Sequence, residues 1–130
     1  MAENGETYEV RVEGRFSALH RLQLPDGSQE PLHGHDWKVE CIFRGPLLEP
    51  VGWVIDFEEA RRALGRVLAE VDHGDLNSLA WLEGRNPTAE WVARVLFERM
   101  QAELGPDRPL VGVRVEEAPG CFATYWRATG

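Results

Sequence analysis

Apolar and polar residues alternate along TYEVRVEGRFSA, residues 7–18. Tyr8, Val10, Val12, Phe16 and Ala18 fall on one face, and Thr7, Glu9, Arg11, Glu13 and Arg15 on the other. Successive side chains of an extended chain point to opposite faces, so this period predicts a strand buried on one side only. A Pro25-Asp26-Gly27 turn signal follows in QLPDGSQEP. Alternation resumes over 32–44, setting His33, His35, Trp37, Val39, Cys41 and Phe43 against Gly34, Asp36, Lys38, Glu40 and Arg44. Two such runs joined by one loop predict an antiparallel hairpin.

The period then changes. Asp56 precedes Phe57, Ala60, Leu64, Val67, Leu68 and Val71, a helical stripe with Glu59 placed as a capping-box partner and Gly74 as the stop. Asn86-Pro87 reads as the start of a second helix, with Val92, Val95, Leu96 and Met100 as its stripe and Gly105-Pro106 as its end. Residues 110–117 and 121–127 alternate once more. The order is ββααββ, an α+β fold with a four-stranded antiparallel sheet under two helices on one face.

Composition narrows the function. A chain of 130 residues, 43% hydrophobic and 28% charged, reads as a single globular domain, 1–130. No apolar run approaches the ~18 residues that cross a bilayer, and the polar, acidic start does not read as a secretory signal. Two cysteines make no disulfide framework, which points to a reduced, cytoplasmic protein. A net charge of −8 with 14 scattered basic residues argues against nucleic acid and leaves room for a small anionic substrate.

Three of the four histidines gather at the hairpin. His33 and His35 share a face of the second strand, and His20 keeps the parity of Tyr8 through Ala18 if the first strand runs unbroken. All three imidazoles then emerge on the apolar side near the turn. Neutral imidazole is the commonest metal ligand, and three histidines with an open fourth position is a catalytic zinc arrangement. Iron, copper and nickel also accept such a site. Cys41 shares the face but lies roughly 20 Å past His35 at ~3.3 Å per residue. Cys121 is not placed by the sequence.

With these residues on view, the chain resembles the 6-pyruvoyltetrahydropterin synthase family, which includes the bacterial 6-carboxytetrahydropterin synthases. FSALH and LHGHDWKVE resemble its zinc hairpin, GWVIDFEEAR the approach to its first helix, and VDHGDLN its aspartate-histidine turn. NPTAEW resembles the start of its second helix and VRVEEAPG its pterin-anchoring strand end. The resemblance covers nearly the whole length with the motifs in order. It implies the tunnelling fold and a Zn²⁺ cofactor on His20, His33 and His35. It also implies Asp72 and His73 as a proton-delivering pair, Glu117 as the residue gripping the pterin ring, and Thr88 and Glu90 near that ring. The implied substrate is 7,8-dihydroneopterin triphosphate, whose side chain is remodelled. The implied assembly is a homo-oligomer, trimer or hexamer, with sites between subunits.

Each implied role has a plainer counterpart. Glu117 keeps the inward parity of Val111, Val113 and Val115, unless the strand frays there. His73 in the last turn of a helix suits the helix C-terminus, while Thr88 and Glu90 suit a helix N-terminus.

One departure matters. Most of the family place a basic cysteine four residues before the first histidine of HGH, where this chain has Gln29, which cannot ionise. One residue later stands Glu30, and EPLHGH resembles a minority branch that releases 6-hydroxymethyl-7,8-dihydropterin by a retro-aldol-like cleavage. Reference pKa values near 8.5 for Cys and 4.3 for Glu differ by about 6 kcal/mol of proton affinity, so glutamate is the weaker base. It suits an acidified hydroxyl better than a carbon-bound proton. The reading is a zinc-dependent pterin lyase with Glu30 as base. The alternatives are a non-catalytic zinc-containing pterin binder that lost the base, and a structural metal site in an interaction protein.

Overall fold

A computed structural model describes residues 5–127. Strand β1 (Tyr8–His20) and strand β2 (His33–Gly45) form the antiparallel hairpin, paired from Tyr8↔Gly45 to His20↔His33 without a break. Helix α1 (Phe57–Ala69) follows, then a two-residue strand β3 (Gly74–Asp75) and two short 3-10 turns at Leu76–Ser78 and Ala80–Leu82. Helix α2 (Ala89–Leu104) leads into strands β4 (Leu110–Ala118) and β5 (Cys121–Trp126). The sheet order is β3-β1-β2-β4-β5.

The expectation of four antiparallel strands is thus corrected to five in a mixed sheet. β3 lies parallel to β1 through Ala18↔Gly74 and Leu19↔Asp75. Two residues are too few to leave a periodic trace in a sequence. Within the described residues, the other four strands are antiparallel, as the alternation predicted.

Val12, Phe16, Ala18, Trp37, Val39, Cys41, Phe43, Val113 and Val115 turn one face of the sheet into a buried layer under the helices. The helices answer with Ala60, Ala63, Leu64, Val67 and Leu68 from α1, and Val92, Val95, Leu96 and Met100 from α2. Gly14 sets the contact between α1 and β1. A Cβ there would stand 2.8 Å from Leu68 Cδ1 and 2.9 Å from Leu64 Cδ2, so the ends of these two side chains would have to shift to admit one.

The helix ends differ from the local signals. Asp56 does cap α1, but its carboxylate accepts from Glu58 N, and Glu59 makes a two-pronged ion pair with Arg108 at 2.7 Å instead of closing a capping box. Phe57 is exposed and leaves the stripe. α1 stops at Ala69 with Glu70 as its cap, well before Gly74, which serves β3. α2 is capped by Thr88, not Asn86, and Thr88 Oγ1 accepts from Trp91 N at 3.2 Å. The Asn86 side chain is drawn elsewhere, as described below. No helix among the described residues is long and apolar enough to cross a membrane.

Candidate metal centre

The three histidines meet because β1 ends where β2 begins. His20 is directly opposite His33, and Ala18 opposite His35, so the imidazoles occupy one cross-strand pair and its diagonal neighbour. Their ring centroids lie 4.7–5.1 Å apart, and one ligand nitrogen from each falls within 4.8 Å of the others. His20 is completely buried, while His33 and His35 are half-buried. Trp37 stands edge-on to His20 at 5.2 Å and walls the cluster off from the apolar layer.

Backbone carbonyls decide which nitrogens face inward. His20 Nδ1 is 3.0 Å from Pro87 O, and His33 Nδ1 is 2.8 Å from Pro31 O. A carbonyl only accepts, so each Nδ1 carries a proton and each Nε2 is left for the cluster, where a neutral ring would offer its lone pair. Nε2 of His20 and of His35 are buried and make no hydrogen bond among the described residues. Leaving such an acceptor unsatisfied costs about 1–3 kcal/mol. A cation that takes both lone pairs removes that cost, and the donor set fits a metal ion. Burial holds His35 below the ordinary imidazole pKa, and the neighbouring His20 and His33 push the same way against the opposing charge of Glu117. The shift favours the neutral imidazole, the state a metal ligand needs.

Two carboxylates stand at the cluster. Glu117, at the end of β4, keeps the inward parity expected of it. Its Oε1 lies 3.6 Å from His20 Nε2 and its Oε2 3.9 Å from His35 Nε2. Glu30 approaches from the other side, with Oε1 at 3.6 Å from His33 Nε2. Glu30 is half-buried, and the same oxygen accepts from Leu22 N at 2.9 Å, so it is held inward and does not wave in solvent. Gln29, at the position where the cysteine was expected, is exposed and accepts from the Arg21 guanidinium at 3.3 Å.

The stretch after His20 is clamped residue by residue. Asn77 accepts from Arg21 N at 2.8 Å and donates to Arg21 O at 2.9 Å. Glu30 N donates to Leu22 O at 3.0 Å while its carboxylate takes Leu22 N. Asn86 accepts from Gln23 N at 2.8 Å and donates to Gln23 O at 3.1 Å. Two side-chain amides thus stand in for a missing neighbouring strand. Neither asparagine was singled out from the sequence for this, and periodicity carries no signal for it. The Asn-Pro-Thr triplet divides its labour: Asn86 fixes Gln23, Pro87 O orients His20 and Thr88 caps α2.

Asp72 and His73 are brought together, but on the outer side of β1 and past the end of α1. Asp72 Oδ1 accepts from Ser17 N at 2.9 Å, and His73 N donates to Ser17 O at 2.6 Å. Asp72 Oδ2 is 3.1 Å from His73 Nδ1. The Ser17 backbone N–H, with His73 adding to it, holds the Asp72 carboxyl below its usual range. His73 takes a left-handed backbone with φ 61°, unusual for a non-glycine residue, and its side chain is 81% exposed. It shares an open cleft of about 350 Å³ with Ser17, Leu19, His35 and Asp36. Thr88 and Glu90 stay at the N-terminus of α2, Glu90 exposed in its first turn.

Comparison with known proteins follows the same lines. The sequence profile described as 6-pyruvoyl tetrahydropterin synthase matches residues 9–128. A dihydroneopterin monophosphate aldolase of Pyrococcus furiosus is 32% identical over 92 residues, covering 71% of this chain and 74% of its own. A 6-carboxy-5,6,7,8-tetrahydropterin synthase of Haemophilus influenzae is 25% identical over 140 residues, covering 91% and 98%. The solved structure of Caenorhabditis elegans 6-pyruvoyl tetrahydropterin synthase superposes with a TM-score of 0.84 at 26% identity, covering 95% of this chain and 97% of that one.

Proposed function

The chain belongs to the 6-pyruvoyl tetrahydropterin synthase family, and we propose that it is a zinc-dependent pterin lyase that cleaves the side chain of a 7,8-dihydroneopterin phosphate to release 6-hydroxymethyl-7,8-dihydropterin. The observation that carries this reading is the inward-held Glu30 carboxylate beside His33, with Gln29 turned out to solvent. A glutamate at this point is matched to an acidified hydroxyl rather than a carbon-bound proton. The aldolase relative supports cleavage and bears on the phosphate count, since its name specifies a monophosphate while the resemblance first implied a triphosphate.

His20, His33 and His35 would hold the Zn²⁺, which when bound supplies Lewis acidity to the side-chain oxygens. Glu30 removes the proton from the side-chain hydroxyl one carbon beyond the scissile bond. That oxygen becomes the carbonyl of the departing aldehyde, the carbon–carbon bond breaks, and its electron pair is shared between the pterin ring and the carbon left on it, which takes a proton to become the hydroxymethyl group. Asp72 orients His73 through the contact between its Oδ2 and Nδ1, so that Nε2 of His73 delivers this proton. Glu117 accepts the paired N–H donors of the pterin ring in the two-pronged manner of a carboxylate. Thr88 and Glu90 border the ring from the α2 terminus. The sheet leaves β5 and most of the outer side of β1 without a neighbouring strand among the described residues. Pairing these edges between copies would give the trimer or hexamer.

The test is incubation of the zinc-loaded protein with dihydroneopterin monophosphate and triphosphate, separately, with products identified by mass spectrometry. The hydroxymethyl product is expected from at least one. A pyruvoyl or carboxy product overturns the lyase assignment. Untouched substrate that nevertheless binds tightly, equally well in Glu30→Gln, supports instead a binder that has lost its base.

A further inference from the structure

Glu117 faces two imidazoles whose Nε2 atoms have no hydrogen-bond partner among the described residues. His20 Nδ1 donates to Pro87 O, so the neutral ring can only accept through Nε2. The Glu117 carboxylate faces them, with Oε1 3.6 Å from that nitrogen and Oε2 3.9 Å from His35 Nε2. Both nitrogens are buried and make no hydrogen bond among the described residues. Two imidazole nitrogens without a hydrogen bond, faced by one carboxylate, make a donor set that a metal cation would fill.

The distances suit one. Zinc bonds of about 2.0–2.1 Å place neighbouring tetrahedral ligand atoms about 3.4 Å apart. The separation of Glu117 Oε1 from His20 Nε2 is within a few tenths of an ångström of that edge. Glu30 lies at a similar distance from His33, but its oxygen already accepts from Leu22 N and faces a single ring. Glu117 spans two.

We propose that Glu117 is the fourth ligand of the resting metal centre, and that binding of the pterin ring draws this carboxylate away and opens the reactive position. The proposal rests on the reading of the triad as a metal site and, for the exchange, on the pterin assignment. One carboxylate cannot coordinate the ion and grip the ring at once. The centre therefore stays closed until the substrate ring arrives.

Cobalt-loaded protein tests this without any turnover. Azide binding is followed by the visible d–d bands of Co²⁺ in the unaltered protein, in Glu117→Ala and in Glu117→Gln, with circular dichroism checking the fold. The expected result is that removing the carboxylate changes the anion-free spectrum and lowers the azide half-saturation at least tenfold. Adding 6-methyl-7,8-dihydropterin, which has the ring donors but no side-chain hydroxyl, should lower it in the unaltered protein too. The same spectrum and half-saturation in all three proteins overturns the ligand assignment, while cobalt loading still supports the metal centre. Failure to load cobalt sinks both. If the dihydropterin binds, by its own fluorescence, and the half-saturation stays put, the exchange is overturned. If it does not bind while the Glu117 effect persists, the pterin reading falls and the fourth ligand stands.

Discussion

The two faces of the β1/β2 hairpin are built by the same alternation and put to opposite uses. On the face under the helices, the row Val12, Phe16, Ala18, His20 runs from apolar core into imidazole, and His35, Trp37 and Val39 do the same on β2. The candidate metal centre is the last layer of the core. Its polar atoms are few and individually oriented, and the innermost, on His20, are completely buried. On the outer face, Glu9, Arg11, Glu40, Arg44 and Arg114 form a chain of ion pairs from 2.9 to 3.8 Å, with side chains 21–49% exposed. There, water and mobile long side chains share the work of neutralisation. The lesson is that a polar residue's weight depends on which side of the same strand it occupies. Burial turns one lost nitrogen into a lost function, while exposure makes a lost charge cheap.

Substitutions should separate the faces by size of effect. Replacing His20 by Ala removes a wholly buried ligand, and metal content measured on the purified protein should fall by two orders of magnitude or more, with activity lost. Retention of stoichiometric metal would break the contrast at its strongest point. Glu30→Gln comes next: turnover should drop about 10²–10⁴-fold, the usual contribution of a general base, while metal content holds. Loss of metal in this variant would make Glu30 a ligand instead. Asn86→Ala removes two hydrogen bonds to Gln23, so chemical denaturation should show a loss of about 1–3 kcal/mol and weaker metal binding. An unchanged midpoint would show that the clamp is dispensable.

The outer face should give the smallest response. Hydrogen bonds from Arg11 and Arg44 hold the Glu9 carboxyl below its ordinary pKa. A depressed carboxylate stabilises the fold above its unfolded pKa, and that contribution fades as pH falls through the folded value. Glu9→Gln should therefore cost less than about 1 kcal/mol at neutral pH, a surface ion pair being screened. The denaturation curves of the two proteins should converge in acid, below pH ~4. A larger cost, or one persisting in acid, would assign this face a structural weight the geometry does not give it.

Elements that follow from local period were legible in the sequence, and those set by distant partners were not. Parity alone put His20, His33, His35 and Glu117 on one face, and the backbone brings the three ligand nitrogens to within 4.8 Å of one another, with Glu117 3.6 and 3.9 Å from two of them. The helix starts show the limit. Asn86 looks like a cap because it precedes Pro87, but its carboxamide finds two backbone partners at Gln23, 63 residues back in the chain. Glu59 looks like the second half of a capping box, yet the Arg108 guanidinium outcompetes a backbone amide for its charge. In both cases a long-range bond replaces a weaker local one. His73 illustrates the same limit from another side. Its motif was recognised, but its left-handed turn and its seat on the outer side of β1 come from Ser17, 56 residues earlier.

The acceptor that orients His20 is the main-chain oxygen of Pro87. No side-chain replacement at position 87 deletes that oxygen. A saturation scan would score the site as tolerant wherever the loop keeps its path, even though it governs the ring buried beneath it. The chain thus stores part of its chemistry in a place where mutational drift leaves no visible scar. An inventory of sensitive residues would undercount the atoms that build this centre.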